Sequence, residues 1–119
     1  MRALIMDVQE EYLREVPNLD YVVDLVGTQD FEFKQKFVAI MKTEFRWDLG
    51  KYLYHIKIDE PRAAAEIVHK LKYKFSVLGM KKGFDFAEAH KERLEVGDTS
   101  LDPDFKVLLK TVTRFLDTV

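Results

Sequence analysis

One histidine in this chain sits where it could act as a nucleophile. On a helical wheel at about 100° per residue, Ala64, Ile67, Val68, Leu71, Phe75 and Leu78 gather on one arc, and His69 points almost directly away from them. Arg62, Ala65, Glu66, Lys72, Tyr73 and Ser76 share its side of the wheel, so the imidazole is expected to be exposed on a helix flank. An imidazole of ordinary basicity, with a pKa near ~6.5, is largely neutral in the cytosol, and its bare ring nitrogen then needs no dedicated base to attack an electrophile. Residues three apart on a helix are surface neighbours, which places the Lys72 ammonium within reach of a group attached to His69. A transferred phosphoryl group spreads charge over its oxygens, and a lysine one turn away can neutralise part of it. From Glu66 to Lys82 five lysines accompany one acid, a local charge of +4 in a chain whose total is −2.

The other candidate constellations are weaker. Glu66 and His69 form one ExxH step, but helix-bundle di-iron sites use that step twice with further glutamates, and no second copy follows. His90 falls on an apolar face and reads as a hydrogen-bonded core residue rather than a ligand. His55 is expected on a solvated flank. No glycine-rich phosphate loop is present, so neither ATP binding nor self-phosphorylation is expected.

A chain of 119 residues with 47% hydrophobic and 34% charged residues fits one soluble globular domain. There is no cysteine, which excludes disulfides and thiolate metal sites and suits a reducing, cytoplasmic setting. No apolar run approaches the ~18 residues of a membrane span, and the first apolar stretch is interrupted by Asp7, Glu10 and Glu11. The acidic balance excludes a globally basic nucleic-acid binder.

Five glycines and three prolines punctuate patterns of helical period, and no segment alternates like a half-buried strand. Residues 1–16 form an N-terminal segment, either an additional helix or a frayed end, and 17–119 form the domain. Leu19, Val22, Leu25 and Val26 predict a short helix ending at Gly27. Phe33, Phe37, Met41, Phe45, Leu49, Tyr52 and Ile56 predict a long one, with Gly50 a candidate kink. A third helix runs from about Pro61 to Leu78 with Asp59 as its cap. After the turn Gly79–Gly83, a fourth helix carries Phe86, Ala87, His90 and Leu94. The last starts near Asp102 or Pro103 and carries Phe105, Leu108, Leu109, Val112, Phe115, Leu116 and Val119. Short connections make neighbours antiparallel, so the expected fold is all-α, an up-and-down four-helix bundle with a short additional N-terminal helix.

On these residues the chain resembles the histidine-containing phosphotransfer (HPt) domains. The segment AEIVHKLKYKFSVLG is similar to the family signature, with His69, Leu71, Lys72 and Gly79 in its key places. The likeness extends from about Leu19 to Leu116 and includes the acidic turn at Asp59 and the turn at Gly97-Asp98. It implies that His69 is the phosphoacceptor, that Lys72 steadies the phosphoryl group and that Leu71 and Gly79 are structural. It further implies docking through Ala65, Glu66, Tyr73 and Ser76 to a response-regulator receiver domain fed by a hybrid sensor histidine kinase. Magnesium would come from the receiver, and the chain itself would hold no cofactor or metal. It would be a monomeric phosphoryl carrier between aspartyl phosphates in a multistep phosphorelay.

Three positions depart from the family pattern. Tyr73 stands where the family has glycine after the lysine, and its ring would either obstruct a receiver or contact a specialised one. The first alternative is a binding or regulatory module that keeps the fold and has lost the transfer. Gly83 replaces an apolar residue, and His90 lies on the apolar face of the fourth helix.

Overall fold

Aspartate 30 starts the longest element, its carboxylate accepting the backbone N–H of Phe33 at 3.0 Å and so satisfying one orphan donor of the first turn. The computed structural model describes residues 14–27 and 30–119. Within them are five helices: α1 (Asp20–Val26), α2 (Phe31–Lys57), α3 (Pro61–Val77), α4 (Lys81–Glu95) and α5 (Asp102–Thr118). No strand occurs among the described residues. The extra helix considered for the N-terminal segment lies, up to residue 13, outside them.

Helix α3 packs most extensively against α4 and next against α2. Its wheel arc is the core: Ala64, Ile67, Val68, Leu71, Phe75 and Leu78 are all buried. Phe105 of α5 ties the long helices together. Its ring meets Tyr52 of α2 at 5.0 Å, Phe75 of α3 at 5.9 Å and His90 of α4 at 4.8 Å between centroids.

The turns explain several differences from the sequence reading. Asp59 does not cap α3, because it takes the left-handed conformation (φ 58°) that closes α2. Glu60 N–H then donates to the His55 carbonyl at 2.8 Å, the bond pattern that usually calls for glycine. Glu60 precedes Pro61 and offers α3 no side-chain cap. Gly50 leaves α2 unbroken, and Lys81, Lys82 and Gly83 belong to α4 rather than to the turn.

Gly79 has φ 72°, and a Cβ there would come within 2.6 Å of the Asn18 side chain. Asn18 N–H donates to the Leu78 carbonyl at 2.8 Å, which pins the chain before α1 to the α3–α4 turn. Three residues earlier, the Glu15 carboxylate accepts the N–H groups of Lys82 (2.9 Å) and Gly83 (2.7 Å). It therefore caps α4 from a distant part of the chain, with the favourable sign for a helix N-terminus. A Cβ on Gly83 would lie 3.3 Å from Glu15 Oε1, so the small residue suits this close approach.

Phe33 is not on the core face of α2; it is 51% exposed. Steps of four residues advance about 40° around a helix, and the run from Phe33 to Phe45 consists of such steps. Its first member has consequently turned well away from the buried Met41 and Phe45. At the far end of α5, Phe115 is half-buried and Val119 is exposed.

Candidate functional site

His69 is exposed on α3, held there by the buried arc on the opposite side of the helix. It lines an open groove of about 580 Å³ between α3 and α4. Arg62, Ala65, Glu66 and Lys70 line it from α3, and Lys91 and Glu95 from α4. Three cations thus border the groove that holds the imidazole. Arg62 and Lys70 form no ion pair among the described residues, whereas Lys91 pairs with Glu88 at 3.2 Å and Glu95 at 3.8 Å.

The structure separates the residues that the wheel placed beside His69. Glu66, Tyr73 and Ser76 are exposed as expected. Ala65 is buried, forming part of the groove floor. Lys72 is buried as well, and its ammonium donates to Glu88 of α4 at 2.5 Å. It also lies 5.2 Å from the Tyr73 ring centroid and 5.5 Å from that of Phe84, geometry suited to cation–π attraction. The expectation of an exposed Lys72 is therefore corrected. A wheel has one inward direction, but α3 is covered on two sides, and Ala65 and Lys72 fall on the flank that α4 covers.

Tyr73 connects these groups. Its ring stands perpendicular to the His69 imidazole with centroids 5.4 Å apart, and it meets Phe84 at 6.1 Å. One side of the imidazole is shielded by this ring.

The charges on α4 are matched to those on α3. The hydrogen bond from Lys72 holds the Glu88 carboxyl below the usual carboxylate range, against its desolvation, with Lys91 adding in the same direction. The bond to Glu88 correspondingly pushes the Lys91 ammonium up. Lys91 and Glu88 were missed by sequence reasoning. Their signal is the Glu88, Lys91, Glu95 spacing, which marks a salt-bridged helix face but not the fact that this face looks across at His69.

The other histidines are accounted for locally. His55 is half-buried at the end of α2, with Nδ1 3.0 Å from Glu60 Oε1. His90 is fully buried, its Nε2 2.8 Å from the Tyr52 hydroxyl, which in turn donates to Asp102 Oδ1. A phenol has one proton, so Nε2–H must be the donor to Tyr52. That leaves His90 Nδ1 as a buried acceptor without a partner among the described residues. Burial, then Asp102, pushes the Tyr52 phenol up, and burial lowers His90 to about 4. This relay joins α2, α4 and α5 inside the core, away from the groove.

Among the described residues no group of three or more His, Cys, Asp or Glu side chains could hold a metal ion, and no helix is long and apolar enough to cross a membrane. No family model, curated protein or solved structure matches the chain.

Proposed function

We propose that the chain is a histidine phosphotransfer domain, its four long helices an up-and-down bundle, which carries a phosphoryl group on His69 between receiver domains in a cytoplasmic phosphorelay. The observation that supports this reading is the exposed imidazole in a groove bordered by Arg62, Lys70 and Lys91. A ring nitrogen of His69 attacks the phosphorus of an aspartyl phosphate on the receiver through its lone pair. The N–P bond forms as the P–O bond to the aspartyl carboxylate breaks, the carboxylate leaves with the electron pair, and the other ring nitrogen keeps its proton. Magnesium supplied by the receiver would neutralise phosphoryl charge on the receiver's side. On this side the three cations meet the charge, and Lys72 acts through Glu88 by fixing the flank that faces the receiver.

A second reading has its own observation. Tyr73 shields one side of His69, and Lys72 is turned to Glu88, an arrangement that also suits a binding module on the same fold without transfer. Incubation with phosphorylated receivers of the same organism separates the two. The carrier gains acid-labile phosphate and His69→Gln does not; the module binds a receiver and gains none.

A further inference from the structure

Helix α2 carries apolar side chains on two separate faces. One is the buried row of Val38, Met41, Phe45 and Tyr52. The other is exposed: Phe33 (51%), Ile40 (60%), Trp47 (68%) and Tyr54 (57%). These four recur every seven residues, and since seven residues fall about 20° short of two turns, they stay within an arc of about 60° on the side of the helix turned away from the core. An amphipathic surface helix carries polar residues on that side. The row runs for about 30 Å along the helix.

We propose that this face pairs antiparallel with the same face of a second copy of the chain. A strict seven-residue repeat is what a second helix laid alongside can cover. Reversal leaves the spacing unchanged, so a two-fold axis between Thr43 and Glu44 sets Ile40 against the partner's Trp47 and Phe33 against the partner's Tyr54. A parallel pair would stack Trp47 on its own copy. Thr43 and Gly50 flank the row without bulk, and nothing lies within 4 Å of where a Gly50 Cβ would be, so a partner helix can approach closely. Glu44 is turned aside to Lys74 at 3.0 Å. The four side chains expose on the order of 500 Å², and the stems of Lys36 and Lys51 extend this toward the ~800 Å² per partner of a standard interface. The dimer is accordingly a weak one. It differs from the monomer expected from sequence, and it leaves the His69 groove on α3 and α4 open.

Trp47 is the chain's one tryptophan and lies near the centre of the contact, so it reports on the contact directly. Sedimentation equilibrium and tryptophan emission are followed together on the full chain over a concentration series. The mass is expected to double while emission shifts to shorter wavelength and acrylamide quenching falls over the same range. Ile40→Glu and Tyr54→Glu, both at exposed positions, are expected to weaken association about tenfold or more with unchanged helicity. Higher salt is expected to tighten the pairing, because Lys36 and Lys51 approach like charges. A monomer at every concentration overturns the proposal, as does a mass that doubles without change at Trp47. Blue-shifted emission from a monomer overturns it too, since the face is then covered from within the chain. Association insensitive to both variants, or weakened by salt, places the contact elsewhere. None of these readouts depends on phosphorylation.

Discussion

The ammonium of Lys72 on α3 is bonded to the carboxylate of Glu88 on α4, and the same carboxylate holds Lys91 at the edge of the His69 groove. One acid on the neighbouring helix therefore sets the positions of two lysines, one buried and one lining the groove. A phosphoryl group on His69 would compete with Glu88 for Lys91 while Lys72 stays in place.

This pairing predicts different outcomes for two lysine variants. Lys91→Ala removes a cation that borders the groove and is expected to shorten the lifetime of phosphohistidine about tenfold, the scale of losing one charge-assisted contact, with little change in melting temperature. Lys72→Met keeps the buried stem but loses the ion pair, and is expected to lower stability by about 1 kcal/mol with a smaller effect on lifetime. Phosphohistidine decay and thermal melts on both variants check this. The reverse ranking would return the neutralising role to Lys72.

His69→Gln is expected to abolish phosphoryl acceptance and to alter stability by less than about 0.5 kcal/mol, since an exposed side chain contributes little packing. Acid-labile labelling and a denaturant titration are the two readouts. Continued labelling would identify another acceptor.

The buried His90 gives the fold a pH dependence whose sign follows from burial. Its folded pKa, about 4, lies below the unfolded value, so the unfolded chain takes the proton first. The contribution is complete above the unfolded pKa and is lost as pH falls from there to about 4, on the order of 3 kcal/mol in all. His90→Phe removes this loss, and melts between about pH 7 and 4 should show a shallower decline than the wild type. Equal slopes would mean that His90 is protonated within the folded chain.

Much of this was legible from residue spacing. The core arc of α3, the outward His69, the end of α1 at Gly27 and the start of α5 at Asp102 all follow from period and punctuation. The readings that failed at Lys72, Ala65 and Gly83 needed a neighbour far away in sequence, whereas those at Phe33 and Asp59 failed on local backbone geometry. Lys72 and Ala65 read as solvent-facing because a wheel cannot say that α4 covers that flank. Asp59 looks like a cap until its backbone is seen to close α2. Gly83 reads as the end of a turn, in place of an apolar residue, until Glu15 reaches it.

That last contact predicts the effect of a residue with no local reason to matter. Glu15→Ala removes the acceptor for Lys82 and Gly83 N–H at the start of α4, and the loss of a helix cap costs about 1 kcal/mol. Hydrogen exchange at those two amides should rise more than elsewhere in α4. Unchanged protection there would mean that the cap does not hold in solution.

Tyr73 separates a working carrier from a fold that only binds. Its ring stands edge-on to His69 and also lies beside Lys72 and Phe84, so its removal uncovers the imidazole and loosens the cation next to it. Tyr73→Ala is the cleaner variant, since alanine favours the helix at an exposed position while glycine would cost roughly 1 kcal/mol more. If the ring is a steric gate, transfer from receivers that the wild type rejects should rise several-fold with stability nearly unchanged. If it is a contact for one particular receiver, binding of that receiver should weaken while the rate with others stays low. Tyr73→Phe distinguishes these from a role of the hydroxyl, because it keeps the ring against His69 and removes only the polar tip. Should the wild type, Tyr73→Ala and Lys91→Ala all take no phosphate from any receiver of the organism while one receiver still binds, the carrier reading fails and the binding module replaces it.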